Sequence, residues 1–157
     1  MGTWVIGYGI VQGSAPALRR LWGQTSSPGV AAVQFWSALL TAIPALIGVA
    51  LWRDANVAIA ITAGLAAFGV VFAMNSSIHS YMVLAYTDAE SVSLNVGFYY
   101  MANAAGRLIG TLLSGAVFML GRTESGGMQA CLWTSSLLVL LAWLSSLRLP
   151  APLRTVS

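Results

Sequence analysis

Arg107 stands near the middle of a run from Ser91 to Gly121 that holds no other charged residue. The run is longer than the ~20 residues that carry an α-helix across a bilayer. An arginine at the centre of such a helix costs roughly 2.5–3.5 kcal/mol on insertion scales, so it belongs in a bundle interior or a water-filled cavity beside a group that balances it. The sequence offers no acid at comparable depth. Three partners remain: a bound anion, a carboxylate from another part of the protein, or local hydroxyls and carbonyls. The planar guanidinium fork suits carboxylate or phosphate oxygens. At 100° per residue, Tyr100, Asn103, Thr111 and Ser114 fall with Arg107 inside an arc of about 80°, which adds neutral donors to the cation. Gly106 and Gly110 run beside this stripe as a GxxxG pair and read as helix-packing positions where a neighbouring backbone comes close.

Other segments carry thinner versions of the same pattern. Asn75, His79, Met82 and Tyr86 share one helical face at i, i+4, i+7 and i+11; His79 is either a hydrogen-bonded core residue or a group that titrates in a transport cycle. Tyr8, Gln12 and Pro16 recur every four residues beside Gly7, Gly9 and Gly13, and Pro16 frees a carbonyl that can line a cavity. Gln34, Ser37 and Thr41 make a further stripe above Pro44. The last hydrophobic segment, rich in Leu and Trp, has only small hydroxyl residues and is expected at the periphery. The candidate substrate-binding set is Arg107, Asn103, Tyr100, Asn75, His79, Gln12 and Tyr8.

Catalysis has little to stand on. The best dyad pairs His79 with Ser76 or Ser80, and Asp88 lies about two and a half turns further along an ideal helix, too far to orient it. No catalytic residues are assigned. A single cysteine, Cys131, excludes an internal disulfide and a thiolate cluster. One histidine and scattered acids give no metal site, and no cofactor is expected.

The elements that must position these residues follow from where the charges fall. Of 157 residues, 58% are hydrophobic and 7% charged, against roughly 25% charged in soluble domains. All seven basic residues are arginine, and a net charge of +3 is too small and scattered for nucleic acid. The uncharged stretches predict an all-α polytopic membrane helix bundle of five transmembrane spans. These are Gly2–Leu18, Val30–Trp52, Asn56–Tyr86 (one long helix whose second half, from Asn75 on, is polar-lined and protrudes from the bilayer), Val92–Leu120 and Met128–Leu147, with Gly126-Gly127 marking where the last begins. Residues 1–148 form the bundle and 149–157 a tail. Arg19, Arg20, Arg148 and Arg154 lie on one side and Arg53 and Arg122 on the other, which places the C-terminus in the cytoplasm of a cell whose inner (plasma) membrane holds the chain. The N-terminal run lacks the basic region of a cleavable signal peptide.

Two stretches carry a resemblance. One runs from Asn75 through His79 and Tyr86 to Asp88. The other runs from Asn95 through Phe98-Tyr99-Tyr100-Met101-Ala102-Asn103 and Gly106-Arg107 to Gly115. Together they resemble the ArsJ-type organoarsenical efflux permeases of the major facilitator superfamily. Trp4 to Pro16, with Tyr8 and Gln12, is similar to the eighth helix of that family. The resemblance covers nearly the whole chain but only the last five of twelve helices. It implies proton-coupled antiport of an anionic arsenic–phosphoglycerate ester, the labile product formed when a glycolytic dehydrogenase takes arsenate in place of phosphate, and hence arsenate resistance. It also implies a partner: the missing N-terminal half, upstream or as a separate polypeptide, without which this part is not expected to transport. The residues fit on one point, since a lone cysteine cannot grip trivalent arsenic through thiolates whereas Arg107 can hold an oxyanion. A helical membrane subunit whose stripes pack against a partner stays open as the alternative.

Overall fold

A computed structural model describes residues 6–7, 9–14, 17, 29–88 and 90–150. Its described residues form helices and turns, with no strand among them. Helical residues 9–14 precede four long helices: α1 (Val30–Trp52), α2 (Val57–Ala85), α3 (Val92–Leu120) and α4 (Glu124–Ser146). Each of the four is long and apolar enough to cross a membrane. The chain is an all-α helical membrane bundle.

The helix ends follow local chemistry. α1 stops at Arg53, and the Ala55 N–H returns to the Ala50 carbonyl at 3.0 Å. That closure puts Asp54 in the left-handed region at φ 56°, where glycine would sit without strain. Asn56 then caps α2 by accepting from the Ile59 N–H at 3.1 Å. α2 runs unbroken for 29 residues, one long helix as the sequence predicts.

α4 departs from expectation at its start. It begins four residues before Met128, because the Thr123 hydroxyl accepts from the Gly126 N–H at 3.1 Å and Glu124 places a negative charge in the first turn. Gly126 and Gly127 lie inside the helix and do not precede it. Their use is close approach: a Cβ on Gly127 would come 2.6 Å from the Phe118 carbonyl, and one on Gly121 would collide with the Gly127 backbone. The α3–α4 turn can close only on glycine.

The core is a seam between α1 and its two neighbours. Val33, Trp36, Leu40, Ile43 and Ile47 of α1 bury against Val71, Met74, Ile78 and Met82 of α2, and Leu132 and Val139 of α4 pack on the cluster. α1 meets α4 over the greatest length and α2 next. Gly48 makes room for Trp133, whose ring would sit 3.3 Å from a Cβ there. The expectation that the last helix is peripheral is thereby corrected: its small residues Gly127, Ser136 and Ser146 are buried and let it press onto the bundle. α3 is the outlying helix. It touches α4 and, more briefly, α2, and none of its residues is buried.

Candidate functional site

A cavity of about 900 Å³ opens between α2 and α3, with Gln12 of helical residues 9–14 at its edge. α3 contributes Tyr99, Tyr100, Asn103 and Arg107; α2 contributes Phe72, Ser76 and Ser80. Four of the seven residues expected to bind substrate, Arg107, Asn103, Tyr100 and Gln12, therefore line one space. Arg107 sits about 22 Å along the axis from the start of α3 at Val92, at 1.5 Å per residue, which is near its midpoint.

The hydrogen bonds show what the cavity has left to offer. Asn103 donates through Nδ2 to the Tyr99 carbonyl at 3.2 Å, which leaves its Oδ1 and second N–H open. Ser80 donates to the Ser76 carbonyl at 3.0 Å, so its oxygen faces the cavity as an acceptor. The Arg107 guanidinium, the Tyr100 and Ser76 hydroxyls and the Gln12 amide make no hydrogen bond or ion pair among the described residues. Among the described residues no acid lines the space. The result is one cation, several free neutral donors and two or three acceptors, an arrangement that can take up an anion bearing hydroxyl or ester oxygens.

Asn75 and His79 lie elsewhere. Asn75 accepts through Oδ1 from the Ser37 hydroxyl at 3.2 Å, tying α1 to α2. His79 places Nδ1 2.9 Å from the Asn75 carbonyl; with the proton on Nδ1 the bond forms and Nε2 is left as an acceptor. His79 lines a separate cavity of about 390 Å³ with Thr87, Asn95 and Leu149. Of the face formed by Asn75, His79, Met82 and Tyr86, Asn75 bonds to Ser37 and Met82 is buried in the core against α1, while His79, Met82 and Tyr86 line the smaller cavity. Gln34 likewise points its amide at the Ser146 carbonyl at 3.5 Å. Tyr8 and Pro16 fall outside the described residues.

The polar stripe of α3 divides along its length. Tyr100, Asn103 and Arg107 face the cavity, while the Ser114 carbonyl accepts from the Cys131 thiol at 3.4 Å and belongs to the contact with α4. Gly106 and Gly110 receive no neighbouring backbone: a Cβ on either would meet nothing within 4 Å. The close packing expected at this pair is not made within the described chain: Gly106 lines the Arg107 cavity, and Gly110 borders a small gap that α3 and α4 leave between them beside Leu113, Ser114 and Val117.

Ser76 and Ser80 were weighed only as dyad partners for His79, yet they face the Arg107 cavity and His79 does not. The signal was present: they repeat at i, i+4, one residue on from Asn75 and His79, and so form a second stripe about 100° around the helix. Phe72 lies one turn before Ser76 on the same stripe. Among the described residues no group of three or more His, Cys, Asp or Glu could hold a metal. No family model, curated protein or solved structure matches the chain.

Proposed function

We propose that the chain is the C-terminal part of a secondary-active membrane transporter that exports an anion, with Arg107 as the group that holds it. The observation that carries this reading is a mid-helix guanidinium with no hydrogen bond or ion pair among the described residues, beside Asn103, Tyr100, Gln12 and Ser76 on a cavity of about 900 Å³. A charge that costs roughly 2.5–3.5 kcal/mol to insert is offset when an oxyanion forms charge-assisted bonds with it. The sequence resemblance narrows the solute to an arsenic–phosphoglycerate ester, and thus the role to arsenate resistance at the plasma membrane. The C-terminus and the α2–α3 turn face the cytoplasm in this reading, so the solute arrives from that end. Arg107→Ala in the complete permease is expected to abolish arsenate tolerance at unchanged membrane abundance; unchanged tolerance would remove the binding role.

One observation favours a second reading. The unfilled notch at Gly106 and Gly110, on a helix with no buried residue, suits a helical subunit that docks against a partner. In that case Arg107→Gln disrupts co-purification of a complex rather than solute export.

A further inference from the structure

Two cavities meet at one side chain. The smaller, of about 390 Å³, lies at the end of the bundle where α2 turns into α3. There Asn95 donates through Nδ2 to the Thr87 hydroxyl at 3.3 Å, tying the two helices across their turn. Leu149 walls the same space, and the chain just after it is held by the Tyr86 hydroxyl, which donates to the Pro150 carbonyl. The larger cavity, with Arg107, lies further along α3, toward the middle of the helix.

The spacing along α3 sets the order. Asn95, Tyr99, Asn103 and Arg107 recur every four residues on one face, with Tyr99 about 6 Å inside Asn95 and about 12 Å short of Arg107 along the axis. On α2, His79 and Ser80 are neighbours in sequence, yet His79 faces the end cavity and Ser80 the deep one. Among the described residues, Tyr99 alone borders both. Its ring rests edge-on against that of Tyr100, with centroids 5.6 Å apart, and it is only half-buried. A rotamer change therefore does not require the seam between α1, α2 and α4 to open.

We propose that Tyr99 is a gate: its ring separates the end cavity from the Arg107 cavity, and its rotation joins them into one path for the solute. The ring does the separating, and the hydroxyl is dispensable for it. The inference rests on reading the Arg107 cavity as the solute site, but its test reads access and not transport.

The full chain is placed in membranes in a Cys131→Ser background, with Ser76→Cys reporting on the deep cavity and Val83→Cys on the end cavity. A membrane-impermeant maleimide is supplied on the side that carries the C-terminus. Val83→Cys is expected to react readily whatever stands at position 99. Ser76→Cys is expected to react at least tenfold faster with Tyr99→Ala than with Tyr99, and Tyr99→Phe is expected to behave as tyrosine does. Tyr99→Leu gives the same comparison should the alanine variant not reach the membrane. Equal rates for Ser76→Cys with and without the ring would overturn the gate, as would a Val83→Cys that stays unreactive. Removing the Arg107 cation can slow the Ser76→Cys thiol itself, so the Arg107→Ala background is read as the ratio of its rates with Tyr99→Ala and with Tyr99. That ratio should stay unchanged, so that a failed anion site and a failed gate give different results.

Discussion

The seam around α1 and the outward face of α3 use the same residue types to opposite ends. In the seam most polar side chains are spent within the chain: Ser37 on Asn75 and Gln34 on the Ser146 carbonyl tie α1 to α2 and α4, and His79 meets the Asn75 carbonyl one turn back on α2. The buried Ser136 hydroxyl has no hydrogen bond among the described residues. Glycine there is filled, as Gly48 is by Trp133. On α3 the cavity-facing half of the stripe has an arginine, a tyrosine hydroxyl and part of an asparagine with no hydrogen-bond partner among the described residues, and a Cβ on Gly106 or Gly110 would meet nothing within 4 Å. Lipid is as apolar as a helix flank, so helices in a bilayer associate through close packing and polar ties rather than through hydrophobic burial. A polar stripe already satisfied by the chain is glue; one left over is available to a solute or another chain. The Arg107 face is of the second kind.

Three pairs of substitutions can sharpen or break that contrast. The largest difference is expected between two methionines. Met74 is fully buried and Met101 is 60% exposed, so Met74→Ala should cost about 2–5 kcal/mol and Met101→Ala less than about 0.5 kcal/mol, read from unfolding by denaturing detergent. Comparable losses would mean that α3 is packed as tightly as the seam.

Next come two glycines. Gly127→Ala drives a Cβ into the Phe118 carbonyl and should cost about 1–3 kcal/mol through overpacking. Gly106→Ala meets no atom and should be neutral or stabilising by up to ~1 kcal/mol, since alanine is the better helix former. If Gly106→Ala instead weakens a complex isolated from native membranes, the notch is occupied there and the docking reading gains.

The smallest stability change separates two asparagines. Asn75→Ala leaves the Ser37 hydroxyl without its acceptor and should cost about 1–2 kcal/mol. Asn103→Ala should shift stability by under ~0.5 kcal/mol while lowering anion export several-fold. An Asn103→Ala protein that exports normally would take that residue out of the site.

Much of the helical layout is legible in the sequence because charge marks water. Val30–Trp52 and Val92–Leu120 end where the uncharged runs end, and Asn56 and Tyr86 prove to be the caps of the long helix between them. The start of α4 was misplaced because Gly126-Gly127 resembles a breaker, whereas Thr123 and Glu124 supply a stronger start signal. Which helix lies outside was not legible. A Leu- and Trp-rich segment looks the same to a periodicity argument whether it faces lipid or a neighbour, and only the positions of Gly48, Gly127 and Ser136 reveal the contact. The direction of a stripe is likewise a tertiary fact: Asn75 and Ser76 are adjacent, and one serves the seam while the other serves the cavity.

The proposed anion site is tested most directly at the guanidinium of Arg107. Everted membrane vesicles carrying the proposed complete permease can be given labelled arsenic–phosphoglycerate ester formed in situ, and uptake compared between the native protein and Arg107→Gln at matched abundance. Uptake is expected to be lost while the protein remains folded in the membrane. Uptake equal to that of the native protein would contradict the anion-binding role of Arg107.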